Sequence, residues 1–381
     1  MLPKITNISE IFKDCFKKET EFEDEEDIDY YNNINYDYHS LPISYIEKNG
    51  YFIEKSIPKY QKVPGLYNFA GNCYLNSILQ CFYYCQDLTN YFIKKENDII
   101  KKGGKLSNSY LNLILRLNKK KTFNNAKNLL NALQEVSSYF FKRGGNDPKA
   151  ALFYILENLH NELKEQKPDY NEEDICCEGI DQEEVFQRCK NNEEKNKSII
   201  NELFNWCLLT SNECPKCKNF HYICEYQNNL LIELNKYKTK DKCVLLDDLI
   251  KFYFQEGEKH FICDSDKEVL KVKFSKKMIS LPQYLIIILN RSIIQFAIIY
   301  VEEIDLSEYC VKGTSAKYNF IGASLTNDYG KKKGTHAIAR CITSEGSFIF
   351  NDSITIKNCN DINGYKPYIL FYKKKNNFIN I

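Results

Sequence analysis

The sequence predicts an α+β fold with helices gathered in its first half and strands in its second. Three observations carry this. Apolar residues recur at helical spacing from Cys73, a fully signalled helix start stands at 146, and after about residue 200 the texture turns β-branched, aromatic and alternating. At 381 residues, 43% hydrophobic and 27% charged, the chain has a globular make-up and can bury a substantial core.

Taken in order, residues 1–60 read as an N-terminal arm. ETEFEDEEDID at 19–29 carries eight acidic side chains and no base, a composition that predicts partial, solvated disorder. The opening MLPKITNISEIFKDCF has neither a sustained apolar stretch nor a small-residue cleavage site, and so does not read as a signal peptide. Leu75, Ile78, Leu79 and Phe82 then draw one apolar stripe of a helix. NDPKAALFYILENLHNEL at 146–163 begins with Asn and Asp at the cap and Pro in the first turn, and continues apolar with helical spacing. The charged stretch 164–197 reads as an insertion or long connection. Beyond it, YICEYQNNLLIEL, EVLKVKF, QYLIIILN, THAIARCI and GSFIF read as strands. No internal repeat is visible.

With 52 basic and 51 acidic residues the formal net charge is +1, and no global field favours nucleic acid or a membrane as partner. The KKK runs at 119–121, 331–333 and 373–375 lack interleaved aromatics and read as solvated loop faces. The apolar run LIIIL at 285–289 is far too short to span a bilayer. The sixteen cysteines are expected as thiols in a reducing compartment, cytoplasm or nucleus.

A cysteine nucleophile needs a base, a group to orient that base, and donors for an oxyanion. Cys73 stands where a tight loop meets a helix start. There the helix dipole and unpaired N–H groups favour a thiolate, although a small buried residue fits that position equally well. Five histidines limit the choice of base: His39, His160, His221, His260 and His336. His39 lies in the acidic arm and His160 inside the capped helix. His221 and His260 flank cysteine-bearing stretches, as metal neighbours or exposed loop residues. His336 opens an apolar strand whose antiparallel partner would end at FND, so that Asn351 or Asp352 could accept the imidazole N–H.

GLYNFAGNCYLNSILQ at 65–80 resembles the Cys box of the ubiquitin-specific proteases, G-L-x-N-x-G-N-T-C-Y-[ML]-N-S-x-L-Q. Gly65, Leu66, Asn68, Cys73, Tyr74, Asn76, Ser77, Leu79 and Gln80 match by position. YNFIGAS, a glycine-bearing loop, His336 and FNDS resemble the family's His box. LPQYLIIILNR at 281–291 and PYILFYKK at 367–374 resemble its later strands, and 146–163 a degenerate form of its Gln-box helix. The five segments keep family order over roughly 62–375.

The resemblance implies a papain-like fold of helical thumb (about 61–200), β fingers (about 201–275) and β-rich palm (about 276–375), with a short tail at 376–381. It implies a deubiquitinating thiol hydrolase that cleaves after the C-terminal glycine of ubiquitin, its cleft admitting a Gly-Gly tail because a Cβ would clash. By position Cys73 is the nucleophile, His336 the base, Asn351 the third member with Asp352 in support, and Asn68 the oxyanion donor. Catalysis requires no cofactor. The expected partners are ubiquitin and ubiquitinated proteins. A catalytically silent ubiquitin-binding module and a hydrolase of another ubiquitin-like modifier are the alternatives.

The frame departs from the family in several places. Ala70-Gly71-Asn72 replaces Gly-Asn-Thr, Thr335-His336-Ala337 replaces Gly-His-Tyr, and Ser347 stands for Trp. Asn146 and Ala150 replace Gln and Glu, leaving Asp147. Cys214-Pro-Lys-Cys217 stands where the family's fingers begin a zinc ribbon, but the second half reads Cys263-Asp-Ser-Asp266. Cys214, Cys217, Cys263 and Asp266 are therefore the candidate ligands of a structural zinc, with His260 as a substitute; a metal-free relic is the alternative.

Overall fold

The predicted stripe becomes helix α1 (Cys73–Tyr84), whose first ten residues are all buried. It belongs to a computed structural model that describes residues 63–375 apart from 70, 120–123, 142–145, 166–181, 196, 263–267, 291–295, 312–313, 328–335 and 358–364. The described residues fall within one compact unit, Tyr60–Ile381; the acidic arm lies outside them. Around α1 stand α2 (Gln86–Lys94), α3 (Glu96–Lys102), α4 (Lys105–Asn118), α5 (Lys127–Val136) and α6 (Pro148–Leu163). Next come α7 (Gln182–Lys195), α8 (Ile199–Phe204) and, among the strands, α9 (Leu246–Phe254). The start of α6 is the one the sequence signals, with Asp147 at the cap accepting from the Lys149 N–H and Pro148 in the first turn.

The strands are β1 (Trp206–Glu213), β2 (Phe220–Gln227), β3 (Leu230–Glu233), β4 (Cys243–Leu245), β5 (Gly257–Ile262), β6 (Val269–Met278) and β7 (Tyr284–Asn290). After them run β8 (Ala297–Ile299), β9 (Glu303–Asp305), β10 (Lys317–Asn327), β11 (His336–Thr343), β12 (Gly346–Asn351), β13 (Ile354–Lys357) and β14 (Tyr365–Lys374). An eight-stranded sheet runs β13-β12-β11-β10-β14-β7-β3, with β9 on β10; a four-stranded sheet runs β2-β1-β6-β5; β4 pairs with β8. The LIIIL run is β7, and its continuous apolarity has a simple cause. Ile286 and Ile288 face the helical core while Leu285, Ile287 and Leu289 face a second core on the other side of the sheet.

Ser77 and Phe82 help to hold α1 in place. The Ser77 and Ser324 hydroxyls, both buried, are 2.8 Å apart and tie the helix to β10. The Phe82 ring meets Phe204 and Phe371 edge-on, each at 5.8 Å. Among the described residues no helix is long and apolar enough to cross a membrane.

Two expectations need correction. The stretch 164–197 is more than a connection: α7 occupies 182–195, and Val185 is fully buried against Cys207, Leu209 and Cys224. Nor are all cysteines thiols. Cys207 and Cys224 are bonded, because the register Leu209↔Cys224 on β1 and β2 sets them diagonally on one face with Cα atoms 6.4 Å apart.

Candidate active site

Cys73 is the first residue of α1 and is 7% exposed. His336 is the first of β11, its backbone N–H held at 2.8 Å by the Asn327 side-chain oxygen across the hairpin. The register Ala339↔Phe350 brings the end of β12 beside the start of β11. The His336 Nε2 thus lies 2.7 Å from Asn351 Oδ1 and 3.8 Å from Asp352 Oδ2. The Cys73 sulfur is the strongest of the influences that favour charge on the same imidazole. Burial opposes charge on the ring, yet the sulfur, with help from Asp352 and Asn351, raises its pKa from 6.5 to about 9.

Asp352 turns the corner after β12 with φ 53°. Its backbone oxygen accepts from the Leu66 N–H at 2.9 Å, and this pairing crowds Gly65, where a Cβ would lie 2.4 Å from that same oxygen. Burial raises the Asp352 pKa, while His336, Asn76 and Asn68 pull against it. The carboxylate takes the Asn76 amide on Oδ1 at 2.8 Å and the Asn68 amide on Oδ2 at 3.0 Å. Asn68 accepts the Asn72 N–H on its own side-chain oxygen at 3.0 Å. The shifted glycine has a use here: Gly71 adopts φ 71°, a left-handed conformation that glycine takes at no steric cost.

All five residues expected at the site are therefore adjacent. Sequence reading missed Asn72 and Asn76, whose signal was visible as Asn at 68, 72 and 76, and Asn327, which had none.

The candidate metal centre differs from expectation. Cys214, Cys217 and His221 place their ligand atoms within 4.8 Å of one another. His221 on β2 is 4% exposed, whereas His260, the expected substitute, is exposed on β5. The alternation of β5 decides between them, because it turns the neighbouring Phe261 ring, not His260, toward His221 at 5.3 Å. Cys263 and Asp266 lie outside the described residues. Two thiols and an imidazole, largely withdrawn from water, suit zinc, and Lys218 with φ 62° closes the Cys-x-x-Cys turn tightly.

The profile of the ubiquitin carboxyl-terminal hydrolase family matches residues 64–372. The chain belongs to this family. Among curated relatives, ubiquitin carboxyl-terminal hydrolase 2 of Bos taurus is 23% identical over 342 residues, covering 82% of this chain and 55% of that protein. Probable ubiquitin carboxyl-terminal hydrolase 1 of Schizosaccharomyces pombe is 27% identical over 199 residues, covering 47% and 23%. The chain thus spans about half or less of the curated relatives it matches. The fold is similar to that of the SAGA Ubp8/Sgf11/Sus1/Sgf73 deubiquitinating module bound to ubiquitin aldehyde, with TM-score 0.62 at 17% identity, covering 84% of this chain and 71% of that one. Together these establish the papain-like α+β class.

Proposed function

We propose that this family member is a thiol hydrolase that cleaves the amide bond after the C-terminal glycine of ubiquitin, with Cys73, His336 and Asn351 as its triad. The observation that carries the reading is the imidazole that lies 2.7 Å from Asn351 and takes its leading charge-favouring influence from the Cys73 sulfur. With Nε2 on Asn351, Nδ1 is the nitrogen that exchanges a proton with the sulfur. The thiolate adds to the glycine carbonyl carbon. As the C–N bond breaks, His336 gives its proton to the departing lysine amine. Water then yields a proton to His336 and opens the thioester, returning the thiol. Asn68 commits one amide hydrogen to Asp352, and its second hydrogen, with the Cys73 backbone N–H, is the donor assigned to the oxyanion.

The decisive experiment offers the protein ubiquitin carrying a C-terminal electrophile, alongside a fluorogenic ubiquitin amide. Wild type is expected to be labelled and to turn over the amide, and Cys73→Ala to do neither. Binding of ubiquitin without labelling or turnover refutes the enzyme reading, and preference for another modifier's probe refutes the substrate.

A zinc ion held by Cys214, Cys217 and His221 is the second part of the proposal. Bound there it would pin the β1–β2 turn and take no part in the chemistry. Metal analysis of the purified protein, and cobalt thiolate absorption that Cys217→Ser abolishes, would support it. Metal-free protein that gains no such absorption overturns it.

A further inference from the structure

Asn72 sits at the N-cap of α1, fully buried, yet its side chain makes no capping bond to the helix. An Asn at this position ordinarily accepts from the second or third helical N–H. Here its Oδ1 accepts from the Phe69 N–H at 3.0 Å, back across the loop. That contact fixes the amide's orientation, because a backbone N–H can meet only the oxygen. Nδ2 must then face Asn76, and it donates to Asn76 Oδ1 at 3.0 Å. Asn76 in turn directs its Nδ2 to two acceptors, Asp352 Oδ1 at 2.8 Å and the Leu66 carbonyl at 3.2 Å. The ring closes through Asn68, which receives the Asn72 N–H on Oδ1 and donates to Asp352 Oδ2.

We propose that Asn72 is a positioning residue that holds the Asn68 amide in place for the transition state, by closing a ring of Asn68, Asn72, Asn76 and Asp352. The inference rests on the thiol-hydrolase reading above. The Leu66 N–H and the Asn68 amide both join the segment before Cys73 to the corner at Asp352, but only the Asn68 contact is made by a side chain, and one amide cannot resist rotation about its own side-chain bonds. Asn72 restrains it from two directions: through its own N–H on the Asn68 oxygen, and through Asn76 on the carboxylate that takes the Asn68 N–H. Asn68 and Asn72, the first turn of α1 and the corner at Asp352 are then held to one another. The Cys73–His336 contact is not a member of this ring. Loss of Asn72 therefore loosens the oxyanion donor while leaving the sulfur and imidazole paired.

This separation makes the test specific. Iodoacetamide alkylation of Cys73 is a displacement at a saturated carbon; it needs the thiolate but no oxyanion donor. Hydrolysis of a fluorogenic ubiquitin amide needs both. In Asn72→Ala, kcat is expected to fall about tenfold or more with KM within about twofold, short of the roughly hundredfold that loss of a direct oxyanion donor costs. The alkylation rate should stay within about twofold of wild type. On an Asn68→Ala background the same change should cost little, since the group it positions is gone. Asn72→Asp keeps the acceptor for Phe69 while removing the donor to Asn76. It is expected to fold, to lose kcat and to keep its alkylation rate, and it carries the test should Asn72→Ala not fold. An unchanged kcat, an alkylation rate that falls in step with kcat, or losses that multiply in the double variant each overturn the inference. A wild type that alkylates but leaves ubiquitin amides intact overturns the hydrolase reading and this inference with it. An active wild type beside an equally active Asn72→Ala overturns this inference alone.

Discussion

Replacing Cys73 by Ala should discharge His336, and the size of the effect follows from what surrounds the ring. Burial is the strongest influence on this imidazole and acts against its charge; the Cys73 sulfur comes next, ahead of Asp352 and Asn351. The net result, a rise from 6.5 to about 9, corresponds to roughly 3 kcal/mol at about 1.4 kcal/mol per tenfold change. The sign follows from linkage. A group whose folded pKa is raised stabilises the fold fully below its unfolded value, here 6.5, and that stabilisation is lost as pH rises through about 9. In Cys73→Ala the leading favourable influence vanishes while burial remains, so the ring should titrate well below 9. Carbon-13 labelled histidine makes this visible by NMR, because the chain has five histidines and His336→Gln identifies the one that matters. A His336 that still titrates near 9 in Cys73→Ala would mean that the sulfur is not its partner, and the thiolate–imidazolium pairing would fall.

Three further outcomes are expected. Asn351→Ala removes the acceptor 2.7 Å from His336 Nε2 and should lower kcat about tenfold to a hundredfold with KM little changed, measured with the ubiquitin amide. Gly65→Ala forces a Cβ to within 2.4 Å of the Asp352 backbone oxygen and 2.7 Å of the Ser353 carbonyl; thermal unfolding should show a loss above about 1 kcal/mol together with a collapse of kcat. Ser324→Ala removes one of the two hydrogen bonds of the buried Ser77 hydroxyl, which still donates to the Tyr74 carbonyl at 2.9 Å, and should cost about 1 kcal/mol in denaturant unfolding.

How far the sequence revealed the molecule depended on whether a feature was local. The helix at Cys73 was legible because Leu75, Ile78, Leu79 and Phe82 all turn to one core, and α6 because its cap, Asp147, stands next to Pro148 at its start. The adjacency of His336 and Asn351 was legible because two short antiparallel strands leave little freedom of register. The partners that reach across the fold were not. The sequence marks both His221 and His260 as neighbours of cysteine-bearing stretches, and the alternation of β5, which turns Phe261 rather than His260 toward His221, is what separates them. Cys207 and Cys224 look like any other strand cysteines until the β1–β2 register sets them diagonally. The parallel pairing of β3 with β7 likewise comes from the layering of the core rather than from either strand's own letters.

The three letters before the nucleophile show why a drifted motif need not mean a lost site. A loop that turns this sharply into a helix needs one residue in the left-handed region, and here that residue is Gly71, at φ 71°. The family pattern has Asn at this place, the side chain that best tolerates such a backbone after glycine. Substituting glycine removes the strain but also removes a restraint, since glycine has the most conformational freedom to lose. The next letter compensates. Where the family has Thr, this chain has Asn72, whose amide is long enough to reach Phe69 on one side and Asn76 on the other, both at 3.0 Å. A threonine hydroxyl sits one bond closer to the backbone and carries its donor and its acceptors on a single oxygen, so it lacks the reach to bridge both. The glycine supplies the turn, and the asparagine supplies the rigidity that the glycine gives up. The two changes make sense only together: Gly71 without Asn72 leaves the Asn68 loop slack, and Asn72 without Gly71 carries its brace on a strained turn.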